Sequence, residues 1–207
     1  MHPVTILFCD IGGVFLTNGW DRHARQRLVT AFHLDAKAFE RAHQEVVADF
    51  ERDRIGEDEY WRRTALAVAP HGQRPGLSQL RAFMRAQSAP LDHSMALLRE
   101  IAAEGRLRLV VLSNESQELN EYRIERFGLR RYFDTFLSSS YLDARKPEPV
   151  IYQRAVRILQ CQPEQCAFVD DRWENLEYPR QAGWHTLHFE SAAELRTCLL
   201  ELTGAAA

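Results

Sequence analysis

The chain has 207 residues, 45% of them apolar and 27% charged, with a formal net charge of −3 from 26 Lys and Arg against 29 Asp and Glu. That length and composition suit one folded domain, or one domain with an insert, and exclude an intrinsically disordered chain. The charge balance points away from nucleic acid and from an anionic membrane, and no apolar run approaches the ~20 residues of a membrane helix.

The start, Met1-His2-Pro3, lacks the basic flank and small-residue cleavage site of a signal peptide. Val4 to Cys9 is a continuous apolar run that stops at Asp10, and Gly12 and Gly13 then punctuate the chain. Phe39, Ala42, Val46 and Phe50 recur at helical spacing after Asp35, a candidate N-cap, and Gly56 breaks that helix. Tyr60, Trp61, Ala65 and Val68 predict another helix, stopped by Pro70. A polar stretch from His71 to Gly76 leads to a short helix at Leu80 and Phe83.

After Pro90 the pattern alternates. Met95, Leu98 and Ile101 predict a helix ending at Gly105, followed by a strand from Leu107 to Leu112. A helix through Leu119, Tyr122 and Phe127 stops at Gly128, and a short strand follows at Thr135 to Ser138. Pro149 sits at the tolerated first position of a helix carrying Tyr152, Val156 and Leu159. Cys166 to Val169 is a third apolar run, ending at Asp170-Asp171. A helix to about Ala182, a strand from His185 to Phe189, a helix to Leu202 and a frayed Ala-rich end complete the series. The four cysteines, Cys9, Cys161, Cys166 and Cys198, form no C-x-x-C pair, which predicts reduced thiols in a cytoplasmic protein.

Alternating strands and helices predict an α/β fold, a parallel sheet covered on both faces. The helical stretch after the first strand reads as an insert over residues 19–88, with 1–18 and 89–207 forming the sheet-bearing core. Ligands bind beyond the carboxyl ends of such strands, so Asp10, Ser113-Asn114 and Asp170-Asp171 are the candidate site residues. If their strands are neighbours, the carboxylates converge, and such a cluster needs a cation; carboxylates and carbonyls are ligands magnesium prefers. Taken singly, each residue has an ordinary structural reading: a turn or helix cap for Asp170, Asp171, Ser113 or Asn114, and a surface position for Lys146. Pro147 biases Lys146 into an extended or turn conformation just ahead of a helix N-terminus, which favours anions.

The order Asp, Ser, Lys, Asp-Asp at these spacings resembles the haloacid dehalogenase-like superfamily over nearly the whole chain. Phe8 to Val14 is similar to its first motif, Val111 to Asn114 to its second, Arg145 to Pro149 to its third and Phe168 to Asp171 to its fourth. Phe127-Gly128, Tyr132 to Asp134 and Ser138-Ser139 fit the same pattern. Within the superfamily the chain most resembles sugar-phosphate phosphatases of the α-glucose-1-phosphate type and the N-terminal phosphatase domain of soluble epoxide hydrolases.

The resemblance implies a Rossmann-like, doubly wound parallel sheet with a C1-type helical cap. It implies a Mg2+-dependent phosphatase acting on a small phosphorylated metabolite, a sugar phosphate being one candidate, as a monomer or homodimer. Asp10 would be the nucleophile. The Asp10 carboxylate, the Gly12 carbonyl and Asp171 would hold magnesium, with Asp170 in support or exchanging roles with Asp171. Ser113, the Asn114 backbone and Lys146 would grip the phosphate.

The sequence departs from this pattern at Gly12, where the first motif usually carries a second Asp that protonates the leaving oxygen and activates water. Loss of such a group costs ~10²–10⁴-fold, which favours leaving groups that need little protonation, or a substitute donor such as Asp21, His23 or Glu115. Gly12 also opens the alternative of a non-catalytic phosphate-binding or regulatory relative. A metal-independent 2-haloacid dehalogenase is a further alternative, one that leaves the Asp170-Asp171 pair without a purpose. Strand alternation turns Cys9 into the core. Trp20 is expected at the site mouth, and Tyr60 and Trp61, in helical register with Ala65 and Val68, in the core of the insert.

Overall fold

The computed structural model describes residues 3–204; the expected frayed end falls at Ala205 to Ala207, outside the described residues, as does Met1-His2. The strands are β1 (Ile6–Cys9), β2 (Arg108–Ser113), β3 (Thr135–Ser138), β4 (Cys166–Asp170) and β5 (His185–His188). They form one parallel sheet in the order β3-β2-β1-β4-β5. Chain direction across the sheet reverses between β1 and β4, and ligands in open α/β sheets bind at such a switch point. In the register, Cys9 lies opposite both Val111 and Val169. Asp10, Ser113 and Asp170 therefore leave neighbouring strands at one edge.

Between β1 and β2 run α1 (Arg22–Ala31), α2 (Ala36–Phe50), α3 (Glu57–Arg63), α4 (Ala65–Val68), α5 (Leu77–Ala86) and α6 (Asp92–Glu104). After β2 come α7 (Gln117–Arg126), α8 (Ser139–Leu142), α9 (Pro149–Leu159), α10 (Trp173–Gln181) and α11 (Ala192–Thr203). Strand alternation divides the sheet core in two. Leu7, Cys9, Val111 and Val169 face Leu98 of α6 and Leu195 of α11. Phe8, Val110, Leu112 and Phe168 face Ile151 and Tyr152 of α9 and Leu176 of α10. With both faces covered, the strands read as unbroken apolar runs. A third cluster, with Phe39, Val46, Phe50, Tyr60, Trp61 and Leu80, joins α2 to α5 and takes in Leu119 of α7.

Local chemistry sets the ends. Asp21 and Asp35 cap α1 and α2 by accepting from the N–H groups of Ala24 and Ala38, each at 2.7 Å. Ser116 and Ser191 cap α7 and α11, and Gly105 ends α6 in the left-handed conformation.

Some expectations are corrected. The helix expected through Tyr60 and Val68 divides at Thr64, where the backbone leaves helical geometry (φ −110°, ψ −96°) while the Thr64 hydroxyl (2.7 Å) and N–H (3.0 Å) both donate to the Tyr60 carbonyl. Gly56 is the N-cap of α3 and lies beyond the end of α2. Strand β2 runs one residue later than expected, to Ser113, and β5 stops one residue earlier, at His188. Among the described residues no helix is long and apolar enough to cross a membrane, and the four cysteines are free thiols.

Candidate active site

Asp10 is the first residue past the central strand. Its N–H donates to the Val169 carbonyl (2.9 Å), and its Oδ1 accepts the Ile11 N–H (2.8 Å). Lys146 reaches it from the segment between α8 and α9, its Nζ 3.1 Å from Asp10 Oδ1 and 2.6 Å from Asp170 Oδ2. This lysine is buried, its side chain 1% exposed, so the ordinary surface reading fails. Asn114 fixes it: Asn114 Oδ1 accepts the Lys146 N–H (2.8 Å), and Asn114 Nδ2 donates to the Lys146 carbonyl (2.9 Å). The Asn114 side chain is thereby occupied. Ser113 Oγ is buried with no protein partner, a condition that costs free energy unless something else satisfies it.

The adjacent aspartates differ. Asp170 is fully buried and saturated by Lys146, both contacts of Asn175 Nδ2 (2.9 and 3.1 Å) and the Arg172 N–H (2.9 Å). Asp170, rather than Asp171, thus holds the start of α10. Asp171 Oδ2 accepts from Asn18 Nδ2 (3.1 Å), while Asp171 Oδ1 is buried without a partner. Gly13 packs against this carboxylate at φ +77°, and a Cβ there would collide with Asp171.

Asp10, Asp170 and Asp171 each offer an oxygen, and the three oxygens lie within 4.8 Å of one another. Burial pushes the Asp10 carboxyl up to about 7, Asp170 and Asp171 add to this and Lys146 opposes it. Burial also opposes the charge on Lys146, but Asp10 and Asp170 outweigh it and hold the ammonium above the ordinary lysine range. Three carboxylates against one ammonium leave the cluster short of positive charge. An all-oxygen donor set, with one buried carboxylate oxygen unpartnered, fits magnesium.

A cavity of about 440 Å³ joins this edge to the helical insert. Trp20 lines it, as expected, while Tyr60 and Trp61 are fully buried in the insert's core. Of the candidate proton donors, Asp21 and Glu115 line it. His23 is exposed on α1, away from the cavity lining, because the buried face of that helix is carried by Ala24, Arg25 and Leu28.

His43, which the sequence did not single out, also lines the cavity. Trp20 Nε1–H donates to Tyr60 Oη (2.7 Å), and Tyr60 Oη lies 2.8 Å from His43 Nδ1. An indole N–H only donates, so the Tyr60 hydroxyl proton is left for His43 Nδ1. The neutral ring then carries its proton on Nε2. Burial, with the charges of Arg25 and Arg145, holds the His43 pKa down to about 3 against the pull of Glu40.

Residues 4–183 match the family model for haloacid dehalogenase-like hydrolases. The chain belongs to this family. A human haloacid dehalogenase-like hydrolase domain-containing protein 3 is 37% identical over 97 residues, covering 46% of this chain and 38% of that protein. The flavin mononucleotide hydrolase 1 of Arabidopsis thaliana is 29% identical over 160 residues, 77% of this chain and 63% of that one. The matches thus span under two thirds of those relatives' length. Among solved structures, a HAD family enzyme from Bacteroides thetaiotaomicron superposes with a TM-score of 0.80 at 17% identity, covering 96% of this chain and 99% of that one. The wild-type form of that enzyme in complex with magnesium and inorganic phosphate gives 0.76 at 18% identity, covering 93% and 98%. At such identities the likeness shows the fold: a Rossmann-like sheet with a helical insertion after β1.

In this haloacid dehalogenase-like hydrolase the space beside Gly12 is already taken. A Cβ at position 12 would lie 2.8 Å from Asn18 Oδ1 and 3.6 Å from Arg123 Nη1. Asn18 and Arg123 were not legible as site residues. One sits in a loop and the other on a helix of ordinary surface composition, and only the packing turns both toward position 12.

Proposed function

We propose that the protein is a Mg2+-dependent phosphatase acting on a small phosphorylated metabolite through an aspartyl-phosphate on Asp10. The observation that carries this reading is the pairing of two unsatisfied groups at one sheet edge: the buried, partnerless Asp171 Oδ1 and Ser113 Oγ. The first suits a cation and the second a phosphate oxygen, and both belong to the edge from which Asp10 projects. Two relatives described by name, a phosphoglycolate phosphatase of Aquifex aeolicus and an N-acylneuraminate-9-phosphatase of Mus musculus, support the reaction class.

Asp10 and Asp171, with the Gly12 carbonyl, would hold the ion, and Asp170 would brace Lys146. Bound magnesium would neutralise charge on the transferring phosphoryl group. Lys146 favours the ionised form of Asp10 and, with Ser113 and the Asn114 backbone, grips the phosphate oxygens. The Asp10 carboxylate attacks phosphorus, the bond to the leaving oxygen breaks, and water hydrolyses the aspartyl-phosphate. Residues 19–88 would act as the cap that covers the leaving group, with Trp20 and His43 lining its cavity side. A sugar is a leaving group of suitable size and hydrogen-bonding character for this cavity.

The test is hydrolysis of para-nitrophenyl phosphate with and without magnesium, with Asp10→Asn as control. Its leaving group needs no proton, so Gly12 does not mask activity. Magnesium-dependent turnover that disappears in Asp10→Asn is expected. Gly12 favours a second reading, a relative that binds phosphate without turning it over, and absence of turnover in the wild type would select it.

A further inference from the structure

Gly12 leaves the proposed chemistry without its usual proton donor, and the neighbourhood of Gly12 contains a replacement. Arg123, whose Nη1 comes within 3.6 Å of a Cβ placed on Gly12, is itself buried. Its guanidinium is held on three sides: Nε donates to Ser88 Oγ (3.0 Å), Nη2 to the Thr17 carbonyl (2.8 Å), and Nη1 is ion-paired with Glu115 Oε1. A carboxylate on residue 12 would project toward this same Nη1. In this chain the carboxylate found there comes from residue 115.

Glu115 is firmly placed. Its N–H donates to Ser139 Oγ (3.0 Å) and its carbonyl accepts from Ser138 Oγ (3.2 Å), two residues beyond Ser113. Its side chain keeps 11% of its surface exposed, and Glu115 lines the cavity shared with Asp10 and Lys146. Burial raises its carboxyl above the ordinary glutamate range, against the pull of Arg123 and Lys146.

We propose that Glu115 is the acid/base of this site, standing in for the missing aspartate, and that Arg123 is its positioning residue. The assignment rests on the phosphatase reading. In the first step Asp10 attacks phosphorus, the bond from phosphorus to the leaving oxygen breaks, and that oxygen takes the proton from Glu115 Oε2. In the second, the Glu115 carboxylate takes a proton from water, the water oxygen attacks phosphorus, and the bond to Asp10 breaks. Inorganic phosphate, free Asp10 and protonated Glu115 result.

The experiment compares para-nitrophenyl phosphate with benzyl phosphate, whose alkoxide leaving group needs a proton, in the wild type and Glu115→Gln with magnesium present. In Glu115→Gln, benzyl phosphate turnover is expected to fall ~10²–10⁴-fold. Para-nitrophenyl phosphate should still give a rapid burst of nitrophenolate, followed by slow phosphate release because the base for the second step is missing. An unchanged ratio of first-turnover rates between the two substrates, or an equal loss on both without a burst, overturns the assignment.

Glu115→Gln leaves the buried Arg123 charge unpaired and threatens folding. Glu115→Asp, which keeps the charge and shortens the reach, is read by the same ratio and carries the test if Glu115→Gln does not fold. A wild type inactive on both esters removes the phosphatase reading itself. An active wild type with the ratio unmoved in both variants removes only the role of Glu115.

Discussion

At Asp170 and Asp171, neighbours in sequence divide two tasks. Asp170 spends its oxygens on Lys146, Asn175 and the Arg172 N–H, while Asp171 keeps one buried oxygen free. Magnesium titration by calorimetry should therefore show no measurable binding in Asp171→Asn. Asp170→Asn, which loosens the brace around the ion, should bind ~10–100-fold more weakly than wild type. Equal effects of the two changes would contradict the division. His43 gives a second prediction. Its pKa is about 6.5 unfolded and about 3 folded, so between those values the unfolded chain binds a proton that the folded one does not. Its contribution to stability is complete above pH 6.5 and is lost as pH falls toward 3. Chemical denaturation across that range should show a steeper loss for the wild type than for His43→Gln. Parallel pH profiles would mean that His43 is not buried neutral.

At the scale of elements, the ends of β1, β2 and β4 place the candidate site residues, and the strands can do so because both sheet faces are packed. Phe8→Ala removes a fully buried ring between α9 and α10, and denaturant melts should show a loss of ~3–5 kcal/mol. Asp35→Ala removes only the cap of α2 and should cost ~0.5–2 kcal/mol. The elements themselves were legible because periodicity and punctuation are local. Asp35, Gly105, Gly128 and Pro149 stand where α2, α6, α7 and α9 begin or end. Thr64 was not legible as a break, since its hydroxyl turns back on the Tyr60 carbonyl only in the packed insert.

For the whole molecule, the carboxylate cluster couples the candidate site to stability. Asp10, Asp170 and Asp171 repel one another around a single lysine, so a cation bound by the folded state alone should stabilise it. At 100-fold excess over its dissociation constant, magnesium would add about 2.7 kcal/mol, read as a rise in melting temperature. The rise should vanish in Asp171→Asn. A rise of equal size in that variant would place the ion elsewhere. The insert and the sheet also meet along the cavity: Ser139 Oγ donates to the Glu51 carbonyl (2.7 Å), and Arg145 pairs with Glu51. The segment that carries Lys146 thus touches both halves.

The sequence by itself determined the α/β fold, the helical insert and the strand-end residues Asp10, Ser113, Asp170 and Asp171. Each of these signals is carried by a short run of neighbouring residues. The spacing of Lys146 became informative only in company with them. Tertiary structure alone decided which aspartate keeps a free oxygen, that Asn114 spends its side chain on the Lys146 backbone, that His43 and Asn18 line the cavity, and that Glu115 pairs with Arg123. Several of those outcomes depend on residues far apart in the chain, such as Asn114 and Lys146, Thr17 and Arg123, and Asn18 and Asp171, coming within hydrogen-bond distance. Such contacts follow from how the insert packs on the sheet, and no local pattern encodes that packing.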